Sequence, residues 1–68
     1  NEEENPLTER EQQVLSLIEK KKNTKEIANQ LFITTGTVRN YISVILDKLD
    51  VNNRIEAISR FKEKGWFK

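Results

Sequence analysis

The segment Ile33-Thr34-Thr35-Gly36-Thr37-Val38-Arg39-Asn40-Tyr41-Ile42-Ser43-Val44-Ile45-Leu46-Asp47-Lys48-Leu49 has two different faces when it is arranged as a helix. Its apolar residues recur at helical spacing and predict one buried stripe: Val38, Ile42, Ile45, Leu46 and Leu49. The same period gathers polar or small residues opposite: Gly36, Arg39, Asn40, Ser43 and Asp47. Arg, Asn and Ser are side chains that pair with base edges in the DNA major groove.

A shorter helical pattern comes just before this segment, from Thr24 to about Leu31, with Ile27, Ala28 and Leu31 directed inward. The connection between the two is tight, and we expect Phe32 and Ile33 in it to fill the space between the helices. Two helices in this order predict a helix-turn-helix, whose second helix reads DNA.

Two further helices flank this pair. The first follows the capping-box pattern of residues 8–11, ends near Lys20, and has an apolar face: Val14, Leu15, Leu17 and Ile18. The last spans about residues 54–64 after a second capping-box pattern, Asn53 to Glu56, with Ala57, Ile58 and Phe61 inward. Gly65 is expected to end it with a left-handed residue, so that Trp66 and Phe67 fold back.

Hydroxyl and amide side chains predict the helix starts. We expect Thr8 to cap the first helix, Thr24 the second and Thr34 the third, with Thr35 as the alternative for the third because it has the same chemistry. Glu11 and Arg54, each near a helix start, are expected to serve as capping residues or as an ion pair with one another. The sequence thus predicts an all-α, four-helix bundle-like domain with a central helix-turn-helix, over residues 7–68. Residues 1–6 form an acidic linker or tail.

Composition excludes several classes of function. The chain has 68 residues with no Cys and no His, which excludes disulfides, thiolate zinc sites and His-based catalysis. The acidic side chains lack the spacing of metal ligands. We therefore expect that the protein binds no cofactor and no small-molecule substrate, and that it is not an enzyme. No apolar run is long enough for a membrane span and no signal peptide is visible, which favours a soluble, cytoplasmic protein.

Charge is unevenly distributed although the net charge is only +1. Residues 1–19 carry six acids and one Arg, residues 20–48 carry six bases and two acids, and residues 49–68 carry five bases and three acids. The basic excess of the middle segment, which includes Lys20-Lys21-Lys22, lies on the predicted DNA-binding unit. The alternative for the lysine run is a solvated face without a partner.

Several motifs, in order, resemble one known family: Leu7-Thr8-Glu9-Arg10-Glu11, Val14-Leu15, Asn23-Thr24-Lys25-Glu26-Ile27-Ala28, Gly36-Thr37-Val38-Arg39-Asn40-Tyr41-Ile42, Lys48-Leu49 and Asn53-Arg54-Ile55-Glu56-Ala57-Ile58. Together they look like the LuxR/NarL/FixJ-type DNA-binding domain. Within that family, residues 37–41 and the ending Lys62-Glu63-Lys64-Gly65-Trp66-Phe67-Lys68 are most similar to the DesR-type response regulators of Gram-positive bacteria.

The resemblance implies the C-terminal output half of a two-component response regulator, with a phosphorylatable receiver domain preceding it. It also implies a homodimer through the last helix, where Ile55, Ser59 and Lys62 share one stripe. The alternative for Ile55 is an isolated exposed apolar residue, which is common. The DesR-type subgroup implies regulation of membrane-lipid genes.

The chain departs from the family pattern at Lys21, where a Gly is usual, and at Tyr41, where many members have His. Because a left-handed conformation costs a non-Gly residue about 1 kcal/mol or more, either Lys21 is strained or the turn has another shape. We predict a positive φ at Lys21 or Lys22. Tyr41 can still reach a phosphate but provides no protonation switch near neutral pH.

Three residues are predicted to contact bases. Arg39 can bond guanine O6 and N7, with a surface ion pair to Asp47 or Glu26 as its alternative role. Asn40 pairs with adenine or contacts a phosphate, and Ser43 lies one turn further on. The predicted phosphate contacts, which fix register more than sequence, are Thr24, Lys25, Thr37, Tyr41 and Lys48.

The expected function is therefore sequence-specific binding of double-stranded DNA by a transcription regulator. Two other readings remain open: a helical protein-interaction module, and a sigma-factor-like promoter-reading domain, which would not require a self-associating fourth helix.

Overall fold

The computed structural model describes residues 5–67, and in that range it contains four α-helices. Their bounds are α1 Glu9–Glu19, α2 Thr24–Leu31, α3 Thr35–Leu49 and α4 Arg54–Glu63. The predicted all-α class, the helix order and the central helix-turn-helix of α2 and α3 are confirmed. Residues 1–4 of the predicted linker lie outside the described residues. In the described part of the chain, no helix is long and apolar enough to cross a membrane.

The hydrophobic core is built around α3, which contacts each of the other three helices. Side chains from all four helices are almost completely buried in it: Val14, Leu15, Ile27, Val38, Ile45 and Phe61. Burial of one such side chain contributes about 1.5–3 kcal/mol. The predicted stripe of α3 is confirmed, since Val38, Ile42, Ile45 and Leu49 are buried and Leu46 is half-buried. This packing leaves the opposite face of α3 in solvent.

Side-chain caps begin each helix as predicted, with one exception. Thr8 and Glu11 form the predicted capping box of α1, Thr34 caps α3, and Asn53 caps α4. The prediction that Thr24 caps α2 is wrong. Asn23 is the cap, because its Oδ1 accepts the Glu26 backbone N–H at 2.8 Å while Glu26 Oε1 accepts the Asn23 N–H at 2.9 Å.

The predicted capping box of α4 is formed only in part. Asn53 Oδ1 accepts the Glu56 N–H at 2.9 Å, as expected. The Glu56 carboxylate, however, accepts the N–H of Asn52 and not that of Asn53, at 2.9 Å. The Glu56 side chain therefore binds the backbone one residue before the cap of α4.

All four helices end in a Schellman motif, whose left-handed residues are Lys21, Phe32, Asp50 and Gly65. Each of these donates its N–H to the carbonyl three residues earlier, and the following residue donates to the carbonyl five residues earlier, at 2.8–3.4 Å. The predicted positive φ values are confirmed for Lys21, at 69°, and for Gly65, at 71°.

The residue after the left-handed position packs against the core at three of these four ends: Ile33, Val51 and Trp66. Trp66 and Phe67 fold back as predicted, and their ring centroids lie 5.2 and 4.9 Å from that of Phe61. The prediction that Phe32 fills the space between α2 and α3 is wrong, because Phe32 is 95% exposed. Phe32 occupies the left-handed position itself, so Ile33 is the residue that returns to the core.

Candidate nucleic-acid interface

The exposed face of α3 holds the three predicted base-contacting side chains together. Arg39, Asn40 and Ser43 are all exposed, and Ser43 lies four residues after Arg39 and three after Asn40. Residues at these separations are neighbours on a helix surface. Gly36 is exposed one turn earlier, so at this position the first turn of α3 presents its backbone without a side chain. Asp47 is the one acid on this face and lies at the opposite end from Gly36.

The Arg39 guanidinium is available to a ligand. Within residues 5–67 it has no ion-pair partner, so the alternative pair with Asp47 or Glu26 is not formed. The Glu26 carboxylate is occupied at the start of α2, where it accepts the Asn23 N–H. Because Arg presents a rigid fork of donors and keeps its charge, it suits bidentate recognition of a guanine edge.

The start of α2 contributes two of the predicted phosphate-contacting residues. Thr24 is half-buried and is the first residue of the helix, and Lys25 is exposed beside it. Since Asn23 supplies the cap, the Thr24 hydroxyl is not needed for that purpose. Helix N-termini carry free N–H groups and a positive partial charge, which favour phosphate oxygens.

Thr37, Tyr41 and Lys48 lie along one edge of the exposed face of α3, because they are separated by four and seven residues. The Thr37 Oγ1 lies 2.9 Å from the Thr34 Oγ1. Tyr41 is half-buried against the core. Lys48 differs from the other predicted phosphate contacts, because its Nζ donates to Glu11 Oε1 at 2.9 Å. A phosphate would therefore compete with Glu11 for this ammonium.

Glu11 is the buried acid of the core region, with 6% of its surface exposed. Burial by itself raises the pKa of this carboxyl. Hydrogen bonds from the Thr8 backbone N–H and from Lys48, together with the charge of Lys48, outweigh that effect and lower the pKa of Glu11. Glu11 is thus ionised at neutral pH. It caps α1 as predicted, and its ion-pair partner is Lys48 where the sequence suggested Arg54.

The outer stripe of α4 holds the three residues predicted to form a dimer contact. Ile55, Ser59 and Lys62 are all exposed, and Ile55 keeps 76% of its surface accessible. Lys62 Nζ lies 3.7 Å from Glu19 Oε2 at the end of α1. Arg60 Nη1 donates to the Leu49 carbonyl at 3.0 Å, which fixes α4 against the end of α3.

A groove of about 420 Å³ lies away from these residues. It is lined by side chains of α1, the end of α2 and the C-terminal aromatic residues, among them Gln12, Gln13, Leu31, Trp66 and Phe67. None of the predicted base- or phosphate-contacting residues lines it. Across the described part of the chain, no three His, Cys, Asp or Glu side chains are grouped to hold a metal ion.

Two features of this surface were missed by sequence reasoning. The cap at Asn23 had a local signal, because residues 23–26 carry the same Asn-x-x-Glu pattern that was recognised at 53–56. The pair of Glu11 and Lys48 had none, since 37 residues separate its members.

Comparisons with known proteins relate this arrangement to bacterial regulators. The family model described as "Bacterial regulatory proteins, luxR family" matches residues 5–61. The chain is 70% identical to the transcriptional regulatory protein DesR of Bacillus subtilis over 66 residues, which cover 97% of this chain and 33% of DesR. The chain spans about a third of the length of this relative and of YvfU, also from Bacillus subtilis.

Solved structures show the same fold. The structure of the transcription factor GerE matches with a TM-score of 0.89 and 37% identity, covering 96% of this chain and 97% of that one. The response regulator ChrA of a heme-sensing two-component system matches with a TM-score of 0.84 and 29% identity, covering 96% of this chain and 32% of ChrA. The resemblance noted from the sequence motifs is confirmed.

Proposed function

The chain belongs to the luxR family of bacterial regulatory proteins, and from this premise we propose that it is the sequence-specific, double-stranded-DNA-binding output domain of a two-component transcriptional regulator. The observation that carries the proposal is the exposed face of α3, where Arg39, Asn40 and Ser43 lie side by side on a helix fixed by its buried opposite face. Because this family consists of regulatory proteins, we propose that the chain is not an enzyme.

In the proposed complex α3 is the recognition helix and lies in the major groove. Arg39 bonds guanine O6 and N7, Asn40 bonds adenine N6 and N7, and Ser43 bonds a neighbouring base edge directly or through water. Thr24, Lys25, Thr37 and Tyr41 contact phosphates on either side and fix the register of α3. Lys48 contributes in the same way when a phosphate displaces Glu11 from the Lys48 ammonium or shares that ammonium with Glu11.

The relatives support a proposal about the rest of the regulator. DesR and YvfU are about three times as long as the region that matches this chain, and ChrA is a response regulator. We therefore propose that a receiver domain precedes this domain in the whole protein, that phosphorylation of the receiver promotes dimerisation, and that the regulator works in the cytoplasm. We also propose membrane-lipid genes as targets, as the sequence resemblance to the DesR-type regulators implies.

We further propose that α4 supplies the dimer contact of the DNA-bound state. Ile55 is exposed on the outer face of α4, with Ser59 and Lys62 on the same stripe. A two-fold axis beside α4 would place Ile55 of one copy against the same surface of the other. The two recognition helices would then meet half-sites about one helical turn apart.

Selection of bound genomic fragments at about 50 and 200 mM salt tests the proposal. The expected result is a motif of two half-sites, with affinity that falls steeply as salt rises, and promoters of lipid genes among the fragments. A second selection uses the chain fused to an unrelated dimerising segment, so that weak self-association does not hide specificity. Absence of an enriched motif from both selections would overturn the proposal.

The variant Ile55→Glu tests the dimer contact. It should reduce binding to paired half-sites and leave binding to a single half-site unchanged.

A further inference from the structure

The turn between α1 and α2 differs from the other three helix ends at the residue that follows the left-handed position. Its left-handed residue is Lys21, which is strained as Phe32 and Asp50 are at the ends of α2 and α3, whereas Gly65 fills this role without strain at the end of α4. The next residue is Lys22, which is exposed, whereas Ile33, Val51 and Trp66 pack against the core at the equivalent position. The stability of the turn therefore explains neither lysine.

The charge of the turn is also larger than α1 requires. Lys20, Lys21 and Lys22 are all exposed, and among residues 5–67 none of them has an ion-pair partner. Basic residues stabilise the negative end of a helix, but this stabilisation decays within the last turn, and Lys21 and Lys22 lie beyond the end of α1 at Glu19. Three adjacent ammonium groups repel one another, and a bound anion would relieve that repulsion.

The turn leads directly into the proposed DNA-binding surface. Lys22 precedes Asn23, the cap of α2, and the chain from Lys21 to Thr24 spans at most about 11 Å. Thr24 and Lys25 are proposed phosphate contacts at the start of α2. The lysines thus lie next to the proposed phosphate contacts of α2, in a turn whose conformation is fixed by two backbone hydrogen bonds, of 2.8 and 3.0 Å.

We propose that Lys21 and Lys22 bind the phosphate backbone of the same duplex, beyond the phosphate reached by the start of α2. This inference rests on the proposed function. The two lysines extend the electrostatic contact outside the helix-turn-helix, and the strain at Lys21 is retained because a Gly there would lose a charge. They add affinity without reading sequence.

The variant Lys21→Gly distinguishes an electrostatic role of Lys21 from a structural one, because it should raise the stability of the domain and lower its affinity for DNA. Removal of strain at a left-handed position should raise the unfolding midpoint by several degrees. Loss of one phosphate contact should lower affinity roughly five- to tenfold near 0.1 M salt and reduce the slope of log affinity against log salt by about 0.9. A damaged fold would lower both stability and affinity.

The experiment measures binding of the whole chain to a short duplex of mixed sequence between about 50 and 200 mM salt. Lys22→Gln should give the same loss of slope as Lys21→Gly, and Lys21→Arg should retain the slope of the unaltered chain. Arg10→Gln is the charge-matched control, because Arg10 is exposed at the opposite end of α1. It should leave the slope unchanged.

The outcomes distinguish this inference from the proposed function. If the unaltered chain binds DNA with steep salt dependence but Lys21→Gly and Lys22→Gln keep its slope, the lysine contact is wrong and the proposed function stands. If Arg10→Gln lowers the slope equally, the effect is one of net charge and the inference is overturned. If the unaltered chain shows no salt-dependent binding, both proposals fail.

Discussion

The Lys48 ammonium lies 2.9 Å from Oε1 of Glu11, although 37 residues separate the two in the chain. The same carboxylate oxygen accepts the Thr8 N–H at 2.8 Å. One buried oxygen therefore completes the cap of α1 and ties the first turn of α1 to the last turn of α3. This polar contact adds to the apolar packing that holds the proposed recognition helix against α1.

Glu11→Gln should destabilise the domain by about 1–2 kcal/mol, between the values for exposed and fully buried ion pairs. The amide keeps the volume and an acceptor for Thr8, but its charge is gone and Lys48 loses its partner. Chemical denaturation measures the change. Glu9→Gln is the matched control, because Glu9 lies in the same turn but is exposed.

The double variant Glu11→Gln/Lys48→Met isolates the pair itself. Its loss of stability should be smaller than the sum of the two single losses, because the second substitution removes a charge that the first left unpaired. Strict additivity would show that the contact contributes nothing beyond the cap.

Acid should weaken the domain partly through Glu11. The pKa of Glu11 is lowered in the folded state, so the folded chain releases this proton more readily than the unfolded chain does. The resulting stability is present above the ordinary Glu pKa of about 4.3 and is lost as the pH falls through the lower folded value. Melting temperature against pH should fall less steeply below about pH 4.3 in Glu11→Gln than in the unaltered chain. Parallel curves would contradict this.

Asn23→Ala should cost about 1 kcal/mol of stability, because it removes the cap of α2. Thr24→Ala should cost much less, since its hydroxyl does not cap the helix. Thermal unfolding of the two variants compares these roles. The reverse order would mean that Thr24 is the cap in solution. Weaker DNA binding by Thr24→Ala at unchanged stability would support its phosphate contact.

Arg39→Ala should cost about 1–3 kcal/mol on the selected site and relax the preference at one base pair. Lys25→Ala should weaken binding to all sequences alike and flatten the salt dependence, because phosphate contacts carry little sequence information. Titration of each variant against the selected duplex and its single-base variants separates the two patterns. A uniform loss from Arg39→Ala across sequences would remove its role as a base reader.

Phe32→Gly should stabilise the domain by about 0.5–1 kcal/mol. The ring is 95% exposed and adds little packing, while φ is 60°. Gly65→Ala is the converse change: beyond the adjacent residues, no atom lies within 4 Å of the added Cβ, so its cost of about 1 kcal/mol would be conformational alone. Denaturation midpoints measure both. Destabilisation by Phe32→Gly would show that the ring makes contacts in solution.

Local signals predicted most of the fold. Helical periodicity gave the four helices and the buried face of α3, and Asn or hydroxyl side chains marked three of the four starts. The exposed trio of Arg39, Asn40 and Ser43 followed from the same period. The start of α2 was misplaced by one residue because Asn23 and Thr24 are both good caps, although only Asn23 has a Glu three residues later with which it can form the reciprocal bonds.

Helix ends were harder, because four Schellman motifs use four different left-handed residues and only Gly65 is typical. The apolar residue that follows decides which side chain returns to the core, so Ile33 is packed and Phe32 is exposed.

By itself, the sequence determined the helices and the face each one buries, because period and capping act over a few residues. Tertiary structure alone decided that Lys48 binds Glu11 and that Arg60 holds the end of α3. It also decided which helix-end residues reach the core. These contacts join residues far apart in the chain, and their geometry exists only once the helices have packed.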